Sequence, residues 1–105
     1  MDPLHLTTSR HNGTLTVSVS GELDIATTEL LRSHLLEVLQ EADHRHKATL
    51  VIEVSKLSFI DAAGLGILVA VQNHALRQRT PLRIAGVPPA MQRLLRITGL
   101  DAHLT

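Results

Sequence analysis

The 105-residue sequence predicts an α/β fold, a mixed sheet of four to five strands with crossover helices packed on it. Three observations carry this. Residues 4–9 and 14–21 alternate apolar and polar side chains around a turn; residues 48–54 form a nearly continuous apolar run; and three later stretches place apolar residues at helical spacing. The resulting order is β-β-α-β-α-β-α, with one further strand at the end.

The first two strands are "LHLTTS" and "TLTVSVSG", and His11, Asn12 and Gly13 between them supply turn chemistry, so the pair reads as a hairpin. In "ATTELLRSHLLEVLQEA", Leu31, Leu35, Val38, Leu39 and Ala42 make one stripe, with Glu29, Arg32, Glu37 and Glu41 off it; this is the first helix. "ATLVIEV" is β-branched and apolar, as expected of a central strand covered on at least one face. "AGLGILVAVQNHALRQR" puts Leu65, Leu68, Val69, Gln72 and Leu76 on one face and ends in basic residues, which favour a helix C-terminus. "PLRIAG" is a short strand. Pro88 and Pro89 then open a third helix carrying Met91, Leu94, Leu95 and Thr98, stopped by Gly99. "LDAHLT" supplies the fifth, edge strand of the expectation.

Length and composition narrow the function. A chain of this size with 44% hydrophobic residues can bury one core, so residues 1–105 are expected to be a single domain. Ten Lys plus Arg balance ten Asp plus Glu, leaving no net field to draw the chain onto nucleic acid or an anionic membrane. Phe59 is the only aromatic residue, so base-stacking platforms are missing. There is no cysteine, which removes disulfides and thiolate chemistry. The first ten residues lack the apolar stretch of a secretion signal, and no apolar run approaches a bilayer span. A soluble, cytoplasmic domain is expected.

Candidate chemistry is sparse. Of seven histidines, only His44 and His46 are close in sequence, in the loop-like "DHRHK", and without a third ligand they read as a solvated basic turn; no metal and no cofactor are expected. No nucleophile elbow, metal-hydrolase helix or phosphate-cradling glycine loop is visible, so no catalytic residues are assigned. Arg93 and Arg96 form an exposed basic stripe.

The stretch "FIDAAGLG" at 59–66 is different: an acid sits where a strand runs into a helix, with two glycines just inside. Asp61 there is placed to cap the helix. The first turn of a helix leaves about four N–H groups unpaired and carries roughly half a positive charge, a ready site for an anion. Gly64 and Gly66 each cost roughly 0.5–1 kcal/mol relative to alanine in a helix, so close approach of a neighbour is needed to account for them. That neighbour is either the sheet below or a partner above. Asp24 is likewise placed to cap the first helix.

Three segments, "GELDIATTELL" at 21–31, "FIDAAGLG" at 59–66 and "GVPPAMQRLLRITGL" at 86–100, resemble in order and in register the signatures of the STAS domain, the module of anti-sigma factor antagonists and of sulphate transporter tails. The closing "TGL" is more similar to the bacterial antagonists. The resemblance implies a non-enzymatic switch protein that binds an anti-sigma factor, itself a serine kinase, and so releases a sigma factor; the family is inactivated by phosphorylation of a Ser or Thr directly after the motif Asp. That phosphoacceptor position is occupied here by Ala62, which has no hydroxyl to carry a phosphate, and Ser55, Ser58 and Thr49 lie away from the helix start. The resemblance also places Asp24 beside this loop and makes Asp24, Asp61, Ala62, Ala63, Gly64, Leu65, Gly66 and Ile67 the expected partner-binding residues. STAS domains serve as scaffold subunits in transport and stress-signalling complexes as well, and the missing hydroxyl fits that alternative equally.

Overall fold

The computed structural model describes residues 2–44 and 48–98. Seven elements follow in the order β1 (His5–His11), β2 (Thr14–Leu23), α1 (Thr28–His44), β3 (Thr49–Ile60), α2 (Ala62–Arg77), β4 (Leu82–Ala85) and α3 (Pro89–Thr98). The expected order is therefore observed; Gly99 and the expected last strand over 100–105 lie outside the described residues.

The sheet runs β1-β2-β3-β4. β1 and β2 pair antiparallel from His5 with Ser20 to His11 with Thr14. Asn12 and Gly13 turn the chain between them with φ of 48° and 78°, both in the left-handed region that a two-residue hairpin requires and that Asn-Gly tolerates. β2–β3 and β3–β4 are parallel, since each pair is joined through a helix. β2 alternates buried and half-buried residues along its whole length: Leu15, Val17, Val19 and Leu23 enter the core, while Thr14, Thr16, Ser18, Ser20 and Glu22 face the other way.

One hydrophobic cluster joins these strand residues to Leu31, Leu35, Val38 and Leu39 of α1, Leu65, Leu68, Val71 and Ala75 of α2, and Met91 and Leu95 of α3. The stripe expected on α1 is the one buried. On α2 the buried face is rotated from the expected one. Leu65 and Leu68 are inside, but Leu76 is 64% exposed and Val69 is half-buried; Gly64, Val71 and Ala75 take the inner places. Small residues let the helix lie close to the sheet, so the largest apolar side chains do not mark its contact line.

β3 departs most from expectation, continuing through Ile60 rather than ending near Val54. Its register against β2 slips twice, between Ser18 and Ser20 and between Gly21 and Glu22. Each slip inserts one extra β3 residue and reverses the alternation of side chains, as a β-bulge does. The parallel strands thus end together at Leu23 and Ile60, which brings both acidic motifs to one edge.

Candidate functional site

The site is built where β2 and β3 end. The Asp61 amide donates to the Leu23 carbonyl at 3.2 Å, so the loop beginning at Asp24 and the start of α2 are stitched side by side. Loops beyond the carboxyl ends of parallel strands are the usual place for binding groups in α/β sheets.

Asp61 is the N-cap of α2. Its backbone is extended, and its Oδ1 accepts from the Gly64 amide at 2.9 Å. The amides of Ala62 and Ala63 belong to the same first turn and have no intrahelical acceptor. Ala62 is exposed. The helix thus presents two unpaired N–H groups beside a half-buried carboxylate, around a side chain that can neither donate nor accept.

Asp24 caps a turn rather than α1 itself. Its Oδ1 accepts from the amides of Ala26 at 3.0 Å and Thr27 at 3.2 Å, one turn ahead of the helix. Thr27 returns the contact: its Oγ1 accepts from the Asp24 amide at 3.0 Å and lies 3.1 Å from the Glu22 carbonyl. This reciprocal pair fixes the loop with no partner present. Thr27 was not legible as a site residue in the sequence, although a Thr three residues after an Asp is the expected pattern for such a turn.

The two glycines of the motif separate. A β-carbon on Gly64 would lie 2.8 Å from Leu23 Cγ and 3.1 Å from Ile60 Cγ1, so its neighbour is the sheet below. Gly66 is exposed, and a β-carbon there would meet nothing within 4 Å. Of the residues expected to bind a partner, Ala62 and Gly66 are therefore exposed, Asp24, Asp61, Ala63 and Ile67 are half-buried, and Gly64 and Leu65 face the core and support the others from beneath. Two apolar side chains add to this edge: Ile25, 79% exposed directly after Asp24, and Phe59, 50% exposed just before Asp61.

The Gly21 of the first motif also has a structural reason. Its φ is +91°, and a β-carbon there would fall 2.0 Å from the Pro3 carbonyl oxygen, because the N-terminal segment crosses it and Asp2 accepts from the Glu22 amide at 3.1 Å.

Among the described residues no three His, Asp or Glu side chains gather as a metal site; His44 is exposed and His46 lies outside those residues. A part-buried contact of 2.7 Å between Thr8 Oγ1 and His34 Nε2 joins β1 to α1, as does the Arg10–Glu41 ion pair. No helix among the described residues is long and apolar enough to cross a membrane. Arg93 and Arg96 are exposed on α3.

A mixed sheet with helices joining its parallel strands, and a capped helix start beside an Asp-anchored turn, define a small α/β domain with both acidic motifs on one edge. The profile of the family described as "Mlab, STAS domain" matches residues 6–105, and the chain belongs to the STAS domain family. It is 30% identical over 97 residues to an anti-sigma F factor antagonist of Paenibacillus polymyxa, covering 92% of this chain and 80% of the relative. It is 32% identical over 97 residues to an anti-sigma-B factor antagonist of Staphylococcus epidermidis, covering 92% and 86%. The crystal structure of an anti-sigma factor antagonist from Mycobacterium paratuberculosis superposes with a TM-score of 0.82 at 31% identity, over 98% of this chain and 84% of that one.

Proposed function

We propose that this chain is an anti-sigma factor antagonist acting in the cytoplasm: it binds an anti-sigma factor that is a serine kinase and so frees a sigma factor, without turnover of its own. The observation that carries this reading is the Leu23–Asp61 hydrogen bond, which sets Asp24, Asp61, Ala62 and Gly66 on one edge. Similarity to antagonists over most of the chain supports it. The exposed Ile25 and Phe59 give the edge apolar area, and depletion of charge with retained aromatic contact is what interface centres favour.

Ala62 stands at the phosphoacceptor position in this reading, so the protein stays in the binding-competent form whatever the kinase does. A second reading, a scaffold subunit of a transport or stress-signalling complex, is favoured by the same residue, because a scaffold needs no acceptor hydroxyl. The two separate on recovery of the tagged protein from its own cell lysate and mass spectrometry of what co-purifies. An ATP-binding anti-sigma kinase, displaced from its sigma factor in a gel-filtration competition, is the expected outcome; co-purification with membrane-transport subunits and no kinase would replace the first reading by the second.

A further inference from the structure

The face of the sheet opposite the α1–α2 core carries a hollow of about 340 Å³ lined by His5, Thr7, Ser18, Val19, Ser20, Glu53 and Lys56. All seven lie on β1, β2 and β3, and no helix residue lines it. The volume is at the lower end of the range of about 300–1,000 Å³ for small-molecule sites. Parallel strands such as β2 and β3 are ordinarily covered on both faces, so an open polar hollow across them is unusual.

The register sets its side chains in two rows. His5 pairs with Ser20 and Ser20 with Lys56; Thr7 pairs with Ser18 and Ser18 with Glu53. Glu53 and Lys56 are three residues apart and in a regular strand would point to opposite faces. The first slip of β3 matches two steps on β2 with three on β3 and turns Lys56 to the Glu53 side.

One row therefore offers an ammonium, an imidazole and a hydroxyl; the next, about 7 Å along the strands, offers a carboxylate and two hydroxyls. The Lys56 ammonium has no hydrogen bond or ion pair with a described residue within contact distance. Glu53 accepts from the Ser55 side chain and, on Oε1 at 2.7 Å, from the Ser55 amide, with its carboxylate beside Gly86; a carboxylate takes about four hydrogen bonds, so two from Ser55 leave it accepting capacity. Hydrogen bonds from Ser55 hold the Glu53 carboxyl below its ordinary value, and the nearby Lys56 charge adds to that.

We infer that this hollow binds a small organic carboxylate that also carries an ammonium or hydroxyl donor, its carboxylate on the Lys56, His5 and Ser20 row and its donor on the Glu53, Ser18 and Thr7 row. Such a ligand satisfies both rows at once, whereas a bare anion leaves Glu53 facing it. The site is separate from the Asp61 edge and does not depend on the function proposed for it.

Titration of the isotope-labelled full chain with L-serine, L-lactate and inorganic phosphate, followed by amide NMR, tests this. Saturable shifts confined to residues 5–7, 18–20 and 53–56 are expected with serine, lactate or both, the responding probe identifying the donor as ammonium or hydroxyl. Lys56→Gln should weaken that binding about tenfold or more, through loss of a charge-assisted contact, with the amide spectrum elsewhere retained. Ser18→Val, which fills the floor with a side chain suited to a strand, should do the same and serves if Lys56→Gln does not fold. No saturable response to serine or lactate, a response to phosphate alone, or unchanged affinity in the folded variants would overturn the inference.

Discussion

Gly64 sits so close to Leu23 that an added β-carbon would fall 2.8 Å from the Leu23 Cγ and 3.0 Å from its Cδ2, whereas two residues on, at Gly66, the same carbon would meet open space. Leu23 is fully buried and has no free direction in which to give way. Alanine gains roughly 1 kcal/mol over glycine in a helix interior, but overpacking a core costs about 1–3 kcal/mol. Gly64→Ala should therefore destabilise the fold and Gly66→Ala should stabilise it by about 0.5–1 kcal/mol. Urea midpoints of the two variants, read at unchanged slope, check the opposite signs.

Because Gly66 is free on its outer side, a large side chain there can be carried without disturbing the core. Gly66→Arg should keep the wild-type circular dichroism while weakening the complex with the anti-sigma partner about tenfold or more, since an unpaired charge would be pressed into an interface. A folded variant with wild-type affinity would remove Gly66 from the docking edge and, with it, the outward reading of the motif.

The β3–β4 ladder ends at Glu53 and Ala85, and just beyond it the Ser55 amide donates to Glu53 Oε1. The Ser55 side-chain hydrogen bond, then this amide contact and more weakly the Lys56 charge, hold the Glu53 carboxyl below its ordinary value. A depressed carboxylate contributes stability that is complete above its unfolded value and is lost as pH falls through the native one. Glu53→Gln should thus be less stable than the wild type at neutral pH, by on the order of 0.5 kcal/mol for so accessible a contact. The difference should shrink as the pH is taken below the ordinary glutamate range. Paired urea titrations across that range check it; a difference that does not change with pH would assign the effect to side-chain packing.

The hairpin, the α1 stripe and the Asp61 cap were legible because each is a local pattern: an Asn-Gly turn, a 3.6-residue period, an acid ahead of a helix. β3 runs past the apolar stretch that marks it in the sequence because its two register slips reverse the alternation at Lys56 and again at Phe59, and a sequence period carries no mark of a bulge set by the neighbouring strand. The inner face of α2 differs from the one its large apolar residues mark for a related reason: closeness to Leu23 and Ile60 requires Gly64 and the small Ala75 takes another inner place, while Leu76 is exposed. At the candidate site, the two acids stood out in the sequence. Thr27, Gly21 and the exposure of Ile25 did not, since their roles depend on the Leu23–Asp61 bond and on the path of residues 2–3.

The sharpest test concerns the missing hydroxyl. Ala62 is exposed in the first turn of α2, where a serine hydroxyl would be accessible and its phosphate would find the free amides of Ala62 and Ala63 and the positive end of the helix. Ala62→Ser should fold as the wild type does, because the position is outside the core and serine is tolerated at a helix start. If the partner is the proposed anti-sigma kinase, then with that kinase and ATP Ala62→Ser should gain one phosphate by intact mass and the wild type none at this position. Phosphorylation adds about two negative charges. In the free protein the helix end offsets them, but in the complex they would lie beside Asp24 and Asp61 within a desolvated interface, where like charges repel without solvent screening. The Ala62→Ser variant should accordingly be released from the kinase on gel filtration as phosphate accumulates, while the wild type stays bound in ATP. If Ala62→Ser binds the kinase yet is never phosphorylated, position 62 is not its acceptor; the contact is then a standing one, and the scaffold reading becomes the better account of this edge.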